Sequence, residues 1–308
     1  MPYKKIKLEI PSNAEKKAFL FLMQSLKIPI NEAQKLIDKK RLFCNGNLVK
    51  KKNEILQGVV ELIVYENAPK GVKIVYENEE FAVLEKPSGV LSHPNGRHCA
   101  YSLCDEIWEL WGMEACVVHR LDKETSGLIL VAKTKNSQVE FKTMFEKREI
   151  QKEYLALTQG LIKEEFEVDL PMRLTQNYDD VKTRMQICED GKRALSFFKR
   201  VRFYPDLNAS LVLCKPFTGR QHQLRLHLFH SGHQILGEPL YGLKKEQIEQ
   251  ILDGKLSQDE RIKLTGAKRL MLHSQRLYFT YKAKKFDISS KENFWEDFKG
   301  LKCNFYPL

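Results

Sequence analysis

The stretch VHRLDKETSG at residues 118–127 is a charged loop between two short apolar runs, at residues 116–118 and 128–132. Short apolar runs bounded by glycine and charged residues are typical of strands buried in a sheet. Polar residues on a loop that joins two rigid elements are often binding or catalytic residues. The stretch therefore predicts two neighbouring buried strands, with one aspartate, Asp122, held on the loop between them.

The composition indicates a globular, unexported protein. The chain has 308 residues and 43% hydrophobic content, which is enough to bury a large core in two domains or in one domain with an appendage. Its apolar runs are shorter than the roughly 20 residues that span a bilayer, and its N-terminus lacks a signal peptide pattern. The seven cysteines include no CxxC pair, which argues against a disulfide framework and a structural zinc site. We expect a soluble protein of the reducing cytoplasm.

The charge of the chain favours a polyanionic partner. There are 51 Lys and Arg residues against 40 Asp and Glu residues, a net charge of +11. A generally basic proteome would also produce such a total. The distribution is more informative, because the first 70 residues hold 14 Lys and Arg against seven Asp and Glu. The excess is concentrated in less than a quarter of the chain.

The N-terminal quarter predicts a small α+β module over residues 1–68. Its two helices, within residues 14–41, are predicted by apolar residues at helical spacing, and Asn31 is the expected N-cap of the second. An Asn-Gly turn at residues 45–46 predicts a hairpin over residues 42–49, followed by a strand at 59–65. The hairpin is flanked by six basic residues suited to phosphate contacts, Lys39, Lys40, Arg41, Lys50, Lys51 and Lys52. A solvated lysine-rich turn is the alternative.

A second domain is expected from about residue 72 to 284, after a linker at residues 67–71. It has no βαβ rhythm with glycine-rich phosphate loops, which disfavours a doubly wound fold and a nucleotide cofactor. We predict an α+β fold with a mixed, largely antiparallel sheet, and a tail at 285–308 that packs on it as a short helix. The predicted elements are a hairpin at 74–84, a helix at 137–148 capped by Asn136, and strands at 154–158, 194–200 and 210–214.

The segment TGRQHQLR at residues 218–225 predicts a buried helix that runs from Gly219 to about Gly232. Its positive N-terminus with Arg220 would suit an anion. Leucines lie around most of the helix, so Arg225 should be buried and should require a buried carboxylate partner, for which Asp122 is the candidate. A paired Asp122 would stay ionised and could act as a nucleophile. An inert buried ion pair is the alternative.

Three other kinds of site are conceivable. Four histidines, His222, His227, His230 and His233, lie close enough in sequence to suggest a metal site, although the segment contains no acidic residue or cysteine to complete it. Asp122 and Glu124 could form a glycosidase pair, but their separation is not assured. Ser126 and Ser231 both lack the GxSxG elbow of serine hydrolases.

The motifs around the loop resemble those of the RluA-type pseudouridine synthases. They occur in the order of that family between residues 74 and 280, about two thirds of the chain, and an ordered series of this length is improbable by chance. The motifs that match the synthase family are KPSGV at 86–90, HRLD at 119–122, TSGL at 125–128, KEY at 152–154, GKRA at 191–194, residues 218–225, GHQILG at 232–237, YG at 241–242 and LH at 272–273.

The N-terminal quarter has AQKLI at residues 33–37, then NGNLV at 45–49, then a predicted strand. Through this pattern residues 14–66 resemble an S4 RNA-binding domain.

The resemblance to the synthases implies an enzyme that isomerises uridine to pseudouridine in ribosomal RNA or tRNA, without a cofactor and as a monomer. Asp122 would be the catalytic aspartate, with attack at C1′ or C6 left open, and Arg225 its partner. Tyr154 would stack on the uracil and is the candidate for removing the C5 proton; a core aromatic is the alternative. Arg120 would occupy the space left by the flipped nucleotide. The remaining substrate contacts would be His119, Lys86, Arg220, His222 and Leu272. A non-catalytic RNA-binding or ribosome-assembly protein is the competing function.

Overall fold

The computed structural model describes residues 3–10, 15–65, 68–94, 101–175 and 183–294. Contacts divide the chain into two compact units. The first unit comprises residues 1–69 with 95–101, and the second comprises residues 70–94 with 102–308.

The first unit packs two helices on a small antiparallel sheet. Four of its strands form one sheet in the order β1-β6-β3-β4, and β2 pairs with β5. Apolar side chains from both helices and the sheet, including Phe21, Leu22 and Leu62, form its buried core. The elements are β1 (Tyr3–Glu9), β2 (Lys16–Lys17), α1 (Ala18–Leu26), α2 (Ile30–Asp38), β3 (Leu42–Cys44), β4 (Asn47–Leu48), β5 (Ile55–Leu56) and β6 (Val59–Tyr65).

Most of the local predictions for this unit are confirmed. The hairpin turns at Asn45 and Gly46, which both have positive φ, as the Asn-Gly sequence predicts. The prediction of Asn31 as a helix cap is wrong, because α2 begins at Ile30 and Pro29 occupies the extended N-cap position. The sequence also gave no indication that residues 3–9 pair with β6 along its whole length.

The second unit is built on one large sheet with helices around it. Its helices are α3 (Leu103–Trp111), α4 (Lys135–Glu146), α5 (Gln223–His230), α6 (Lys245–Leu252) and α7 (Gln258–Thr265). Its strands are β7 (Lys73–Glu77), β8 (Phe81–Lys86), β9 (Cys116–Val117), β10 (Ser126–Ala132), β11 (Gln151–Gln159), β12 (Glu165–Asp169), β13 (Met172–Leu174), β14 (Met185–Ile187), β15 (Leu195–Tyr204), β16 (Ala209–Pro216), β17 (Leu272–Tyr281) and β18 (Lys284–Ser289).

The large sheet has the order β12-β15-β16-β11-β17-β10-β8-β7, with β18 beside β17 and β9 beside β10. Its pairings are antiparallel except between β10 and β17. The predicted α+β fold with a mixed, largely antiparallel sheet is therefore confirmed. The separate β13–β14 hairpin lies outside this sheet.

The side chains of strand β10 show that the sheet has a hydrophobic core on each face. Every residue from Ser126 to Ala132 is buried. Leu128 and Leu130 belong to a hydrophobic cluster with α4, whereas Ile129 and Val131 belong to the other cluster. Side chains alternate between the faces of a strand, so a continuous apolar run is required where both faces are covered. The predicted buried strand is confirmed.

The parallel contact between β10 and β17 needs a glycine. Gly127 pairs with Ser274 and has φ +105°, and a Cβ at this position would lie 2.4 Å from the backbone oxygen of Ser274. Ser274 pairs on its other side with Tyr154 of β11. Neighbouring strands are about 4.8 Å apart, so this register brings Tyr154 within roughly two strand spacings of the end of the 118–127 loop.

Three predictions for this unit are wrong. Helix α4 is capped by Thr134, not Asn136, because Thr134 and Ser137 form a reciprocal capping box. The helix predicted from Gly219 begins at Gln223. The tail boundary at residue 284 falls inside the sheet, because residues 284–289 form β18. Phe294 stacks on His273, and the rest of the predicted tail helix, at 295–308, lies outside the described residues.

The late start of α5 has a local cause. The Thr218 hydroxyl donates to Gln223 Oε1 and accepts the backbone N–H of Leu195, which fastens the turn to β15. His222 then takes a left-handed conformation with φ +55°, so the helix cannot begin before Gln223. Among the described residues no helix is both long and apolar enough to cross a membrane.

Candidate active site

The loop at residues 118–126 is held by hydrogen bonds to its backbone. Ser92 Oγ donates to the carbonyl of Leu121 at 3.0 Å and accepts the N–H of Leu121 at 3.2 Å. The carbonyl of Lys123 accepts the N–H of Gly89 at 2.8 Å. Ser88 Oγ donates to the carbonyl of Glu124 at 2.6 Å. The backbone on both sides of Asp122 is therefore fixed before any substrate binds.

Lys86 is part of this support. Its side chain is fully buried, and its Nζ donates to three backbone carbonyls, those of Pro87, Val90 and Lys123. An ammonium group has three N–H donors, so all of them are used. Burial lowers the pKa of Lys86 to about 7. The sequence predicts Lys86 as an RNA contact, whereas the structure shows its amine enclosed, where it joins the KPSGV turn to the loop.

The end of the loop is fastened by side chains. Arg261 forms a two-point ion pair with Glu124, and Glu124 also accepts the N–H of Leu270 at 3.4 Å. Ser126 Oγ lies 2.9 Å from His273 Nδ1 and accepts a hydrogen bond from Arg269 at 3.1 Å. Glu124 and Ser126 thus have structural partners, and this arrangement favours neither the glycosidase nor the serine hydrolase alternative.

Asp122 and Arg225 form the ion pair that the expected burial of Arg225 predicts. Arg225 Nη1 donates to Asp122 Oδ2 at 3.0 Å, so the predicted ion pair is confirmed. Arg225 is 3% exposed, whereas the Asp122 side chain keeps 18% of its surface exposed. The site therefore presents one carboxylate at a surface, supported from behind by a buried cation.

A second carboxylate was missed from the sequence. Glu238 is completely buried and accepts hydrogen bonds from Arg225 Nε at 2.8 Å and Nη2 at 2.6 Å. It also accepts the N–H of Leu240 at 2.8 Å. A buried guanidinium has five N–H donors, so the burial of Arg225 was itself a signal that one carboxylate would not suffice. Glu238 holds Arg225 in one orientation, with the remaining edge directed at Asp122.

Electrostatics keeps Asp122 charged. Burial alone would raise the pKa of its carboxyl group, but nearby positive charge, that of His222 when its ring is protonated and that of Arg225 and Arg120, holds that pKa below its usual value. A group whose pKa is lowered by folding is ionised well below neutral pH, and its stabilising contribution is lost only as the pH falls through that lowered pKa. Asp122 is therefore a partly desolvated, ionised carboxylate, the state required of a nucleophile.

Apolar residues form a wall beside this carboxylate. Tyr154 is 7% exposed and shares a buried hydrophobic cluster with Leu121, Leu224 and Leu272. Burial raises the pKa of the Tyr154 hydroxyl, and the charge of Asp122 raises it further. Tyr154 is thus a neutral phenol at pH 7. Its ring can pack against a planar base. To remove the C5 proton of a uridine, however, the Tyr154 hydroxyl would first have to lose its own proton.

Three other predicted substrate contacts, His119, Arg120 and Arg220, differ in their exposure. His119 is occupied within the protein, because its Nε2 accepts the N–H of Leu130 at 3.0 Å and its ring lies 4.7 Å from that of Phe145. Arg120 is exposed next to Asp122. Arg220 lies on the turn before α5, where its Nε donates to the carbonyl of Arg193. Of these three, Arg120 is the most open to an incoming ligand.

His222 lies against Asp122, not at the outer surface. Its Nε2 is 3.8 Å from Asp122 Oδ2, and its Nδ1 is 3.1 Å from the hydroxyl of Tyr241. Like Glu238, Tyr241 was assigned no role from the sequence. Within the described ranges, no cluster of His, Cys, Asp or Glu side chains has the arrangement of a metal site.

Comparisons with known proteins point to one family. A family model described as RNA pseudouridylate synthase matches residues 80–230. An uncharacterized RNA pseudouridine synthase of Helicobacter pylori is 38% identical over 275 residues, which are 89% of this chain and 90% of that protein. The dual-specificity RNA pseudouridine synthase RluA of Pasteurella multocida is 42% identical over 172 residues, which are 54% of this chain and 76% of that protein.

The fold is also found among solved structures. The human RNA pseudouridylate synthase domain containing 1 superposes with a TM-score of 0.57 and 24% identity, over 72% of this chain and 84% of that chain. At this level of identity the likeness extends to the fold alone.

Proposed function

The chain belongs to the RluA-type RNA pseudouridine synthases, and we propose that Asp122 is the nucleophile with which it converts uridine to pseudouridine in structured RNA. The resemblance that the sequence motifs predicted is confirmed by the family and the relatives. The observation that carries the proposal is the state of Asp122, which is ionised, partly exposed and held through Oδ2 by the buried Arg225.

The proposed reaction balances without an external reagent. A carboxylate oxygen of Asp122 attacks the uridine, either at the ribose C1′ or at the base C6, and the N1–C1′ bond breaks. The base rotates within the site and C5 bonds to C1′. The C5 proton is lost, N1 gains a proton, and Asp122 is released as a carboxylate. Because substrate and product are isomers, no redox partner or group donor enters the balance.

Access to the uridine requires base flipping. A base inside a helical stack cannot reach a carboxylate that is supported from behind by the protein. Arg120 is exposed and lies two residues before Asp122, where its guanidinium can occupy the space that the extruded nucleotide leaves. The Tyr154 ring, with Leu272 in the same cluster, offers the apolar surface on which the uracil packs.

The proposed substrates are ribosomal RNA and tRNA. The family acts on RNA, and the name of the Pasteurella relative indicates that one such enzyme can have two specificities. The net charge of +11 suits a polyanion of either kind. Cytoplasmic location and a monomeric state remain predictions from the composition and the resemblance.

The function is tested by release of tritium from C5. The full chain is incubated with unmodified ribosomal RNA and, separately, with unmodified tRNA, each labelled with tritium at uridine C5. We expect release from at least one RNA, because the C5 proton leaves in the reaction, and the RNA that responds identifies the substrate class. Binding of both RNAs without release from either would favour the non-catalytic RNA-binding or assembly function.

We also propose that the first unit is an S4-like module that binds RNA phosphates around its β3–β4 hairpin. Lys39, Lys40, Lys50 and Lys51 are exposed there. Lys52 pairs with Asp38 at 3.1 Å, so its charge is partly compensated. Arg41 is only partly exposed. The exposed lysines next to the hairpin are therefore the more direct candidates for phosphate contacts.

Replacing Lys50 and Lys51 together by glutamine should weaken RNA binding and reduce its salt dependence. Each lost phosphate contact lowers the slope of log affinity against log salt by about 0.7 to 0.9. The matched control is Lys7→Gln with Lys27→Gln, which removes the same charge from exposed positions elsewhere in the unit. Equal slopes for the two double variants would show that the hairpin is not a specific contact.

A further inference from the structure

We propose that Tyr241 fixes His222 in its Nε2–H tautomer, so that the neutral imidazole donates a hydrogen bond to Asp122 during the reaction. Tyr241 is then a positioning residue and His222 a second donor to the nucleophile beside Arg225. The inference rests on the proposed role of Asp122. It assigns to His222 a task different from the RNA contact expected from the sequence.

The hydrogen bonds around Tyr241 determine which of its neighbours donates a proton and which accepts one. The backbone N–H of Met185 donates to the Tyr241 hydroxyl oxygen at 3.2 Å. Tyr241 is 1% exposed, so its own O–H needs an acceptor, and His222 Nδ1 lies 3.1 Å away. A buried hydroxyl donor left without an acceptor destabilises the fold. Nδ1 is therefore the acceptor, which leaves the ring proton on Nε2.

The other nitrogen faces the nucleophile. His222 Nε2 lies 3.8 Å from Asp122 Oδ2, the same oxygen that Arg225 Nη1 reaches at 3.0 Å. The opposite tautomer would direct a lone pair at a carboxylate. Catalytic hydrogen bonds are often long before the substrate binds and shorten in the reacting complex. Both donors then act on Oδ2, which leaves Oδ1 as the attacking oxygen.

Because His222 is buried and neutral, its tautomer decides whether it can donate a hydrogen bond to Asp122. Burial lowers the pKa of His222 to about 4, so the ring is neutral at pH 7. The charged groups that act on it are Asp122 and Glu238, which favour protonation, and Arg225 and Arg120, which oppose it. Arg184 lies over the Tyr241 ring at 5.9 Å and adds positive charge on that side. A neutral ring offers one N–H only, and Tyr241 determines which nitrogen bears it.

The backbone supports a dedicated position for this ring. His222 has φ +55°, a left-handed conformation that is unfavourable for an L-residue. Glu238 connects the two donors to Asp122, because its Oε1 accepts Arg225 Nη2 at 2.6 Å and the N–H of Tyr241 at 3.4 Å. The segment that orients Arg225 thus also carries the residue that orients His222.

The first test reads the tautomer directly. The full chain is labelled with nitrogen-15 in its histidines, and long-range proton–nitrogen spectra are recorded at pH 7, with His222 assigned by comparison with His222→Gln. We expect the Nε2–H form in the wild type and its loss, or a higher pKa of the ring, in Tyr241→Phe. An Nδ1–H ring in the wild type would overturn the proposal, whether or not the enzyme releases tritium.

The second test is the pH profile of single-turnover tritium release. Tyr241→Phe should lose roughly tenfold or more at pH 8, since one directed donor is removed. The loss should shrink as the pH falls below 6 towards the pKa of the ring, about 4 in the wild type, because protonation restores the Nε2–H and without the tyrosine hydroxyl the ring protonates more readily. His222→Gln, whose amide can donate to Asp122, should retain more activity than His222→Leu.

The controls separate positioning from structure. Tyr76→Phe removes a phenol hydroxyl from β7, away from the site, and should leave the profile unchanged. In the His222→Gln background, Tyr241→Phe should add no pH-dependent loss. A pH-independent loss in Tyr241→Phe, with wild-type tautomer, would show that the hydroxyl has a structural role only. A wild type that releases no tritium would instead contradict the proposed function.

Discussion

Asp122→Asn is expected to abolish tritium release from uridine, by at least about 10⁴-fold, in a protein that still folds and binds RNA. The asparagine amide oxygen can still accept Arg225 Nη1, and Glu238 still neutralises the guanidinium. What is lost is the carboxylate that attacks the substrate. Single-turnover tritium release measures the loss, and filter binding with the same RNA measures retained affinity.

The matched control is Asp206→Asn, which makes the same change at an exposed position on the short 3₁₀ turn at residues 205–207. It should turn over at the wild-type rate. Intact mass must show that residue 122 is still asparagine, because deamidation would restore the aspartate. Turnover of a verified Asp122→Asn protein at a rate near that of the wild type would rule out Asp122 as the nucleophile.

Arg225→Met is expected to reduce both stability and turnover. It removes the cation shared by two carboxylates, and Glu238 has no surface exposure through which water could replace it. Breaking a buried ion pair by removing one partner costs about 3 to 5 kcal/mol. Urea unfolding measures this loss. Turnover should fall by at least about a hundredfold, because Asp122 loses its direct hydrogen bond.

The double variant Arg225→Met with Glu238→Gln separates these two effects. It removes the orphaned buried charge, so most of the lost stability should return, whereas turnover should stay low. The cycle with the single Glu238→Gln variant gives the coupling energy between the two side chains. Additive losses of stability in the double variant would contradict the view that the orphaned carboxylate is the source of the cost.

Local elements were predicted from the sequence where one physical cause was sufficient. The continuous apolar run at 128–132 predicts a strand buried on both faces, and the Asn45-Gly46 turn predicts its hairpin, because both signals act within a few residues. The start of a helix depends on which of several neighbouring capping residues is used. Thr134 and Asn136 are both capping residues by type, and the reciprocal bond with Ser137 favours the first.

Part of the site was also predicted from the sequence. A helix with leucines around most of its surface buries Arg225, and a buried guanidinium requires a carboxylate, which led to Asp122 in a segment 103 residues away. The same requirement did not identify Glu238, because the five donors of a buried guanidinium show that a further acceptor is needed but not which residue supplies it. Nor did composition and spacing show that Lys86 is enclosed among carbonyls.

The sequence by itself therefore determined the buried strands, the charged loop and the need of Arg225 for an acid, all of which follow from hydrophobic burial and charge pairing along the chain. Only the tertiary structure decided that Glu238 binds Arg225 and that Tyr241 binds His222. The close contact of Gly127 with the backbone of Ser274 was likewise decided by the tertiary structure. The reason is physical. Hydrogen bonds and close backbone contacts depend on distances of a few ångströms between segments far apart in sequence, and those distances are set by the packing of the whole sheet.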